Sequence, residues 1–329
     1  MRWVGIDEAG YGPNLGPLVM TAVVAEAPRK TGAVGRPVRA LDFWGDLAGT
    51  VDRAGGDPDR LWVDDSKAIY SNGKGRSRLE ATCLATIHAA SNTLPLSLGA
   101  MLEIVGAGTV EDAELTHWLE PDACENPRSS ISCEAGLAGL LERKPLCAKR
   151  GAWQVTGVRA VVVGPALFNR RLDDHGLKST VHYMAFERLL AWVWSAAPCD
   201  STTRVVGDKH GGRHYYYAPL TQSFPDIWID RGCEGPELSR YTLRDPARRV
   251  EVRLMPRADA TDGLVALASI VSKTIRELWM DVFNDYWCGR VAGLRRTAGY
   301  PNDSWRFRAA IEAAATEHQR DPAIWWRAK

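Results

Sequence analysis

No two cysteines in this 329-residue chain form a CxxC pair, and seven is an odd number, so neither a disulfide framework nor a paired-thiolate zinc site is indicated. Cys124, Cys133 and Cys147 lie loosely near His117, at a spacing that fits no common zinc pattern. The amino-terminal stretch has no basic segment leading into a long apolar run, which argues against a secretory signal and sets the expectation of a soluble, cytoplasmic protein with no membrane partner. Excess charge is missing too. A formal net charge of +1 gives no bulk pull toward nucleic acid, so any phosphate binding must come from a local patch. What is present is ordinary globular material, 45% hydrophobic and 25% charged, enough for a substantial core. Thirteen tryptophans are many for this length, and they read as core residues or as stacking surfaces for nucleotides, with core favoured.

Apolar patterning predicts a strand over Trp3 to Ile6, a Gly/Pro turn, and a second strand over Leu18 to Ala25 that closes an early hairpin. Leu61-Trp62-Val63 leads into Asp64-Asp65-Ser66-Lys67. A helix starting after Ser71 is expected to carry Leu79, Cys83, Leu84 and Ile87 on one side. Between 91 and 150 the pattern breaks into short apolar pieces, as in an insertion or small subdomain. Further strands are expected at Val158 to Val163, at Val205-Val206 and at Val250 to Met255. Helices are expected through Val181, Met184, Ala185, Leu189 and Val193, and through Leu264 to Val282. Gly299-Tyr300-Pro301 breaks the chain before a last helix containing Phe307, Ile311, Ala314 and Ala315.

Three of these strands lead into acids: Asp7-Glu8, Asp208 and Asp259. Burying a carboxylate costs several kcal/mol unless a cation, dense hydrogen bonding or a metal compensates it. Convergent carboxylates commonly hold paired Mg²⁺ or Mn²⁺ ions. Each acid alone has an equally ordinary reading as a turn or cap residue. The stretch from Lys209 to Tyr217 is the best local nucleic-acid patch, and it reads equally well as a tyrosine-rich strand packed on the sheet.

In order along the chain, Gly5-Ile6-Asp7-Glu8-Ala9-Gly10-Tyr11-Gly12-Pro13, Asp65-Ser66-Lys67, Arg257-Ala258-Asp259, Ala268-Ser269-Ile270-Val271-Ser272-Lys273, Gly299-Tyr300-Pro301 and Thr316-Glu317-His318 resemble the motifs of the type 2 ribonucleases H, the ribonuclease HII family. The resemblance implies a ribonuclease H-like α/β fold, a mixed β-sheet flanked by helices, with a helical C-terminal portion and inserted segments. On this reading 1–90 and 151–290 form the catalytic domain, 91–150 and the region near 213–249 are insertions, and 291–329 is a helical extension. It also implies a metal-dependent endoribonuclease acting on the RNA strand of RNA/DNA hybrids or on ribonucleotides embedded in duplex DNA, leaving a 3′-hydroxyl and a 5′-phosphate. Asp7, Glu8, Asp208 and Asp259 would be the catalytic, metal-binding carboxylates. Gly10, Tyr11, Gly12, Lys67 and Tyr300 would meet the substrate. Lys67 alternatively forms a structural ion pair with Asp64 or Asp65, and Tyr300 alternatively anchors the last helix.

The chain departs from that pattern at Tyr11, where the family has the arginine of Gly-Arg-Gly, and so lacks a planar cation that holds phosphate bidentately. Two other readings follow: a nuclease of the same fold with a different nucleic-acid target, and a non-catalytic nucleic-acid-binding protein. The tail from Arg320 to Arg327 either packs or stacks nucleobases, packing being favoured.

Overall fold

The computed structural model describes residues 1–28, 40–70, 75–119, 137–149, 152–199 and 201–328. Cys124, Cys133 and the Ser71 boundary of the expected helix lie outside them.

The strands are β1 (Arg2–Ala9), β2 (Leu18–Glu26), β3 (Val51–Asp52), β4 (Leu61–Trp62), β5 (Gln154–Val163), β6 (Thr202–Asp208), β7 (Trp228–Arg231), β8 (Ser239–Arg244) and β9 (Arg249–Met255). Seven of them form one sheet in the order β5-β2-β1-β6-β9-β8-β7, while β3 and β4 make a separate parallel pair. The sheet is mixed: β1 runs antiparallel to β2 and parallel to β6, β6 runs parallel to β9, and β8 and β7 extend it as an antiparallel hairpin. This is the mixed sheet flanked by helices that the ribonuclease H-like fold implies, and the early hairpin is formed as expected.

In chain order the helices are α1 (Phe43–Asp46), α2 (Ser66–Tyr70), α3 (Gly75–Ser91), α4 (Leu98–Ile104), α5 (Leu137–Glu142), α6 (Pro165–His175), α7 (Lys178–Ser195), α8 (Tyr217–Ser223), α9 (Gly263–Cys288) and α10 (Pro301–Glu317). None of the described helices is long and apolar enough to cross a membrane.

Side chains alternate across a strand, so each sheet face acquires its own core. Trp3, Val19 and Val23 point into a layer built with α3 and α9, and the pieces around Met101, Leu102 and Trp118 join that layer. Val4, Ile6, Leu18 and Met20 point the other way, onto α7 and α8. β2 is buried along both faces, which is why its sequence reads as a continuous apolar run. Helix α9 begins at Asp262, whose carboxylate accepts from the Leu264 and Val265 amides at 2.9 and 3.3 Å. Its first turn comes so close to β1 that a Cβ on Gly5 would lie 2.2 Å from the Leu264 carbonyl carbon. That approach brings one face of α9 against the C-terminal end of β1.

Candidate active site

The ladder between β1 and β6 runs to Ile6 opposite Gly207, and the ladder between β6 and β9 ends at Asp208 opposite Met255. Asp7 and Asp208 therefore leave adjacent parallel strands at the same level and on the same face. Asp259 follows in the 3₁₀ turn Ala258–Ala260, which the chain enters through Arg257 in a left-handed conformation, φ 53°. For a non-glycine residue that geometry costs about 1 kcal/mol or more, and here it turns the chain back over the strand ends.

The acids feel one another. Burial pushes the Asp7 carboxyl well above the usual carboxylate range, and the charges of Glu8, Asp259 and Asp208 push the same way, against a hydrogen bond from Ser269. Asp208 is pushed up to about 6 by burial, and then by Glu8 and Asp259, against a 2.9 Å bond from the Lys209 amide. Burial and Asp65 raise Asp259, while Lys67 lowers it. The charge of Lys67 also acts on Glu8, while Asp65 accepts from the Lys67 amide at 2.8 Å and Asp64 pairs with Arg53 at 3.5 Å.

Neighbouring residues of a regular strand face opposite sides, so Asp7 and Glu8 share one cleft only if the strand has a bend between them. The structure places it later: β1 continues in register to Ala9 opposite Val19, and the chain turns at Gly10, φ +88°. The two carboxylates consequently leave opposite faces. Asp7 lies under α9, where Ser272 bonds its carbonyl at 3.1 Å, while Glu8 lies 3.4 Å from His182 Nε2 on α7. They still come within hydrogen-bonding reach of each other.

Among the described residues no three His, Cys, Asp or Glu side chains stand in a metal-ligating arrangement. The donor chemistry fits a hard divalent cation: four carboxylates at the ends of three neighbouring strands, three of them with pKa values raised by burial, Asp7 and Asp208 also by the other acids of the set and Asp259 by Asp65.

The residues that the family resemblance would set against a substrate lie at the same end of the sheet. The Asn14 and Leu15 amides bond the Gly299 carbonyl at 2.9 and 3.2 Å, which ties the turn after Gly10 to the Gly299-Tyr300-Pro301 loop. Tyr300 is 38% exposed and lies 5.5 Å from the Arg276 guanidinium. Gly10 is packed so tightly that a Cβ would meet the Pro17 carbonyl at 2.3 Å, whereas Gly12 faces open space. Tyr11 packs edge-on against His182 at 4.8 Å and covers Gly211, with Lys178 5.1 Å from its ring. The Lys209–Tyr217 stretch divides: Lys209 bonds the Gly235 carbonyl and Ser239, Tyr216 is buried, and Tyr215 and Tyr217 are exposed. Glu234 accepts from the Tyr216 and Tyr217 amides, so it serves the loop structurally.

Sequence reasoning missed the residues that hold this arrangement. Ser269 and Ser272 lie one turn apart on α9 and bond Asp7 and Thr21. Their spacing was visible, but their target was not. Arg276 is fully buried and reaches the Leu15 and Ala298 carbonyls at 3.1 and 2.8 Å. Arg327 bonds the carbonyls of Pro13 and Tyr11 from the tail, with its guanidinium 4.6 Å from the Phe168 ring. Packing therefore wins for the tail, with Trp325 buried beside it. His182 gave no sequence signal, since it sits inside an ordinary helical stripe. Arg327→Ala leaves buried carbonyls unsatisfied, and is expected to cost roughly 3 kcal/mol, on the order of 5 °C in Tm by thermal unfolding.

No protein-family model matches this sequence, and no curated protein matches it. Among solved structures, the chain is similar to ribonuclease HII of Archaeoglobus fulgidus in its complex with PCNA, with 13% identity, TM-score 0.41, and 100% of this chain and 95% of that one covered. It is also similar to ribonuclease H2 of Pyrococcus horikoshii OT3, with 15% identity, TM-score 0.41 and coverage of 99% and 92%. A third is Bst-RNase HIII in complex with Mn²⁺, with 15% identity, TM-score 0.38 and coverage of 99% and 66%.

Proposed function

We propose that this chain is a divalent-metal-dependent endonuclease that hydrolyses phosphodiesters in the RNA strand of RNA/DNA hybrids or at ribonucleotides embedded in duplex DNA. The observation that carries the reading is the meeting of Asp7, Glu8, Asp208 and Asp259 at the ends of three adjacent strands, close enough to perturb one another's protonation. Mg²⁺ or Mn²⁺ held by these carboxylates would lower the pKa of the attacking water and stabilise the leaving 3′ oxygen, giving 3′-hydroxyl and 5′-phosphate ends. Asp7 is fixed by Ser269 and by the Ser272 bond to its carbonyl, and Glu8 is oriented by His182. Lys67 offers a cation to the scissile phosphate from the side of Glu8 and Asp259. Tyr300 presents a ring to the sugar, where shape and the 2′-hydroxyl distinguish ribose from deoxyribose. Gly12 leaves room for a nucleic-acid backbone.

Tyr11 favours keeping a second reading, a nuclease of this fold with another nucleic-acid target. Cleavage of a single-ribonucleotide duplex, a hybrid, an all-DNA duplex and a structured RNA, each with Mg²⁺ or Mn²⁺, separates the two. No cleavage of any substrate by the wild-type chain sinks both. Metal binding has its own readout: at pH 8, Mn²⁺ at about 100 times its dissociation constant should stabilise the fold by roughly 2.7 kcal/mol, and at pH 4.5 by much less, because the carboxylates are then partly protonated. Equal shifts at both pH values would count against carboxylate ligation.

A further inference from the structure

We propose that the face of β9, β8 and β7 on the Asp7 and Asp208 side of the sheet is a docking surface for the phosphate backbone of a nucleic-acid duplex. The inference rests on the nuclease reading for its partner, but its geometry stands apart from the carboxylates.

The apolar residues of these strands, Val250, Val252, Leu254, Tyr241, Leu243 and Ile229, all point to the α7 side. The alternate residues therefore share the opposite face, where the register aligns them in rows across the strands. Arg253 lies opposite Arg240 and next to Val206, two residues short of Asp208. One row further from the site, Glu251 lies between Arg204 and Thr242, and beyond it Arg249 lies opposite Arg244, which faces Trp228.

Two directly opposed arginine pairs on one face are unfavourable for the isolated protein. The compensation is partial. Asp230 takes Arg244 at 2.7 Å, but Glu251 is shared between Arg249 and Arg253 at 3.8 Å each. Arg240 has no carboxylate partner among the described residues. Beside them on β6, burial and then the charge of Arg253 lower the Arg204 pKa against the opposing charges of Asp262 and Glu251. Four arginines of β8 and β9, Arg240, Arg244, Arg249 and Arg253, thus share this face with two carboxylates, Glu251 and Asp230, in a chain whose net charge is only +1. Such a local surplus is what phosphate binding requires when bulk charge supplies none.

Position selects a duplex as the polyanion. The rows are spaced about 6.6 Å along the strands, and β6 to β7 spans about 14 Å across them, roughly four base pairs of rise. The first arginine row lies one such step from Asp208, so a duplex lying on this face leads into the carboxylates. Trp228, 64% exposed and 5.4 Å from the Arg244 guanidinium, closes the far row with an aromatic edge.

The test measures equilibrium binding of the full chain to a fluorescein-labelled 18-base-pair duplex in metal-free buffer across a salt series. Arg240→Gln/Arg249→Gln should weaken binding about 10-fold at low salt and flatten the slope of log K against log salt by about 1.8, two phosphate contacts at ~0.9 each. Arg240→Lys/Arg249→Lys should keep the wild-type slope. The single change Arg240→Gln, at an exposed site, should flatten it by about half as much, and unaltered thermal unfolding certifies each variant as folded. A slope and affinity unchanged in the folded Gln variants overturn the proposal. So does a loss confined to phosphatidylserine vesicles, which would make the face a membrane contact. Because no cleavage is required, wild type that binds with the predicted slope but never cleaves refutes the nuclease reading alone, whereas cleavage with an unaltered slope refutes the docking face alone.

Discussion

Asp208→Asn should lower metal-dependent cleavage by at least about 10³-fold while making the metal-free protein more stable. The two effects have one cause. In the folded chain Asp208 titrates at about 6, raised by burial and by Glu8 and Asp259, whereas in the unfolded chain it titrates near 3.9. Below the unfolded value both states are protonated and the group costs nothing. As pH rises from about 4 through about 6, the unfolded state loses its proton first, so the folded state loses relative stability and stays penalised above that window. The amide removes the titration. The difference in Tm between Asp208→Asn and wild type, measured without metal, should be near zero at pH 3.5 and grow to a plateau by pH 7. After allowance for partial solvent screening, it should correspond to roughly 1 kcal/mol or somewhat more. A variant that unfolds more easily than wild type at pH 8 would show that Asp208 is held by a compensating cation of the protein and is not poised for an external one. Cleavage that survives the substitution would remove Asp208 from the catalytic set.

Gly5→Ala should be strongly destabilising. The new Cβ would lie 2.2 Å from the Leu264 carbonyl carbon and 2.3 Å from the Val265 amide nitrogen, both backbone atoms that cannot rotate away. Either β1 or the first turn of α9 must move. Overpacking against backbone costs about 3 kcal/mol or more, visible as a fall in Tm on the order of 6 °C or greater. Displacing α9 also separates Ser269 and Ser272 from Asp7, so residual cleavage should fall further than the unfolded fraction explains. Gly12→Ala is the control: its Cβ meets nothing within 4 Å, and stability should be nearly unchanged.

The strands and helices that build the sheet were legible because their apolar periods are strong. β2 reads as an apolar strand and α9 as a long stripe, and both form where the pattern puts them. The ordered acids were legible for the same reason, since each closes a recognisable strand or follows one. The opposite orientations of Asp7 and Glu8 could be foreseen from strand alternation, but the place where the chain turns could not. It depends on Gly10 fitting beneath Pro17 and Arg276, a contact between segments far apart in sequence. Arg276, Arg327 and His182 stayed hidden for a related reason. A cation that bonds carbonyls of a distant turn leaves no local periodicity, and a histidine in an apolar stripe looks like any other core residue. The arginine rows on β8 and β9 are visible only as pairs across strands, and therefore only once the register is known.

The Arg327 hydrogen bonds to Tyr11 and Pro13 join residues 316 and 314 positions apart. During synthesis the chain emerges amino terminus first, so the turn beside the acids emerges well before the segment containing Arg327 that supports it. Closing such a long loop is slow compared with forming α9 or the β1–β2 hairpin. The order of assembly therefore delays a complete site until nearly all of this sequence is in place, and a chain interrupted before residue 327 would carry the acids without the clamp that holds their neighbouring turn.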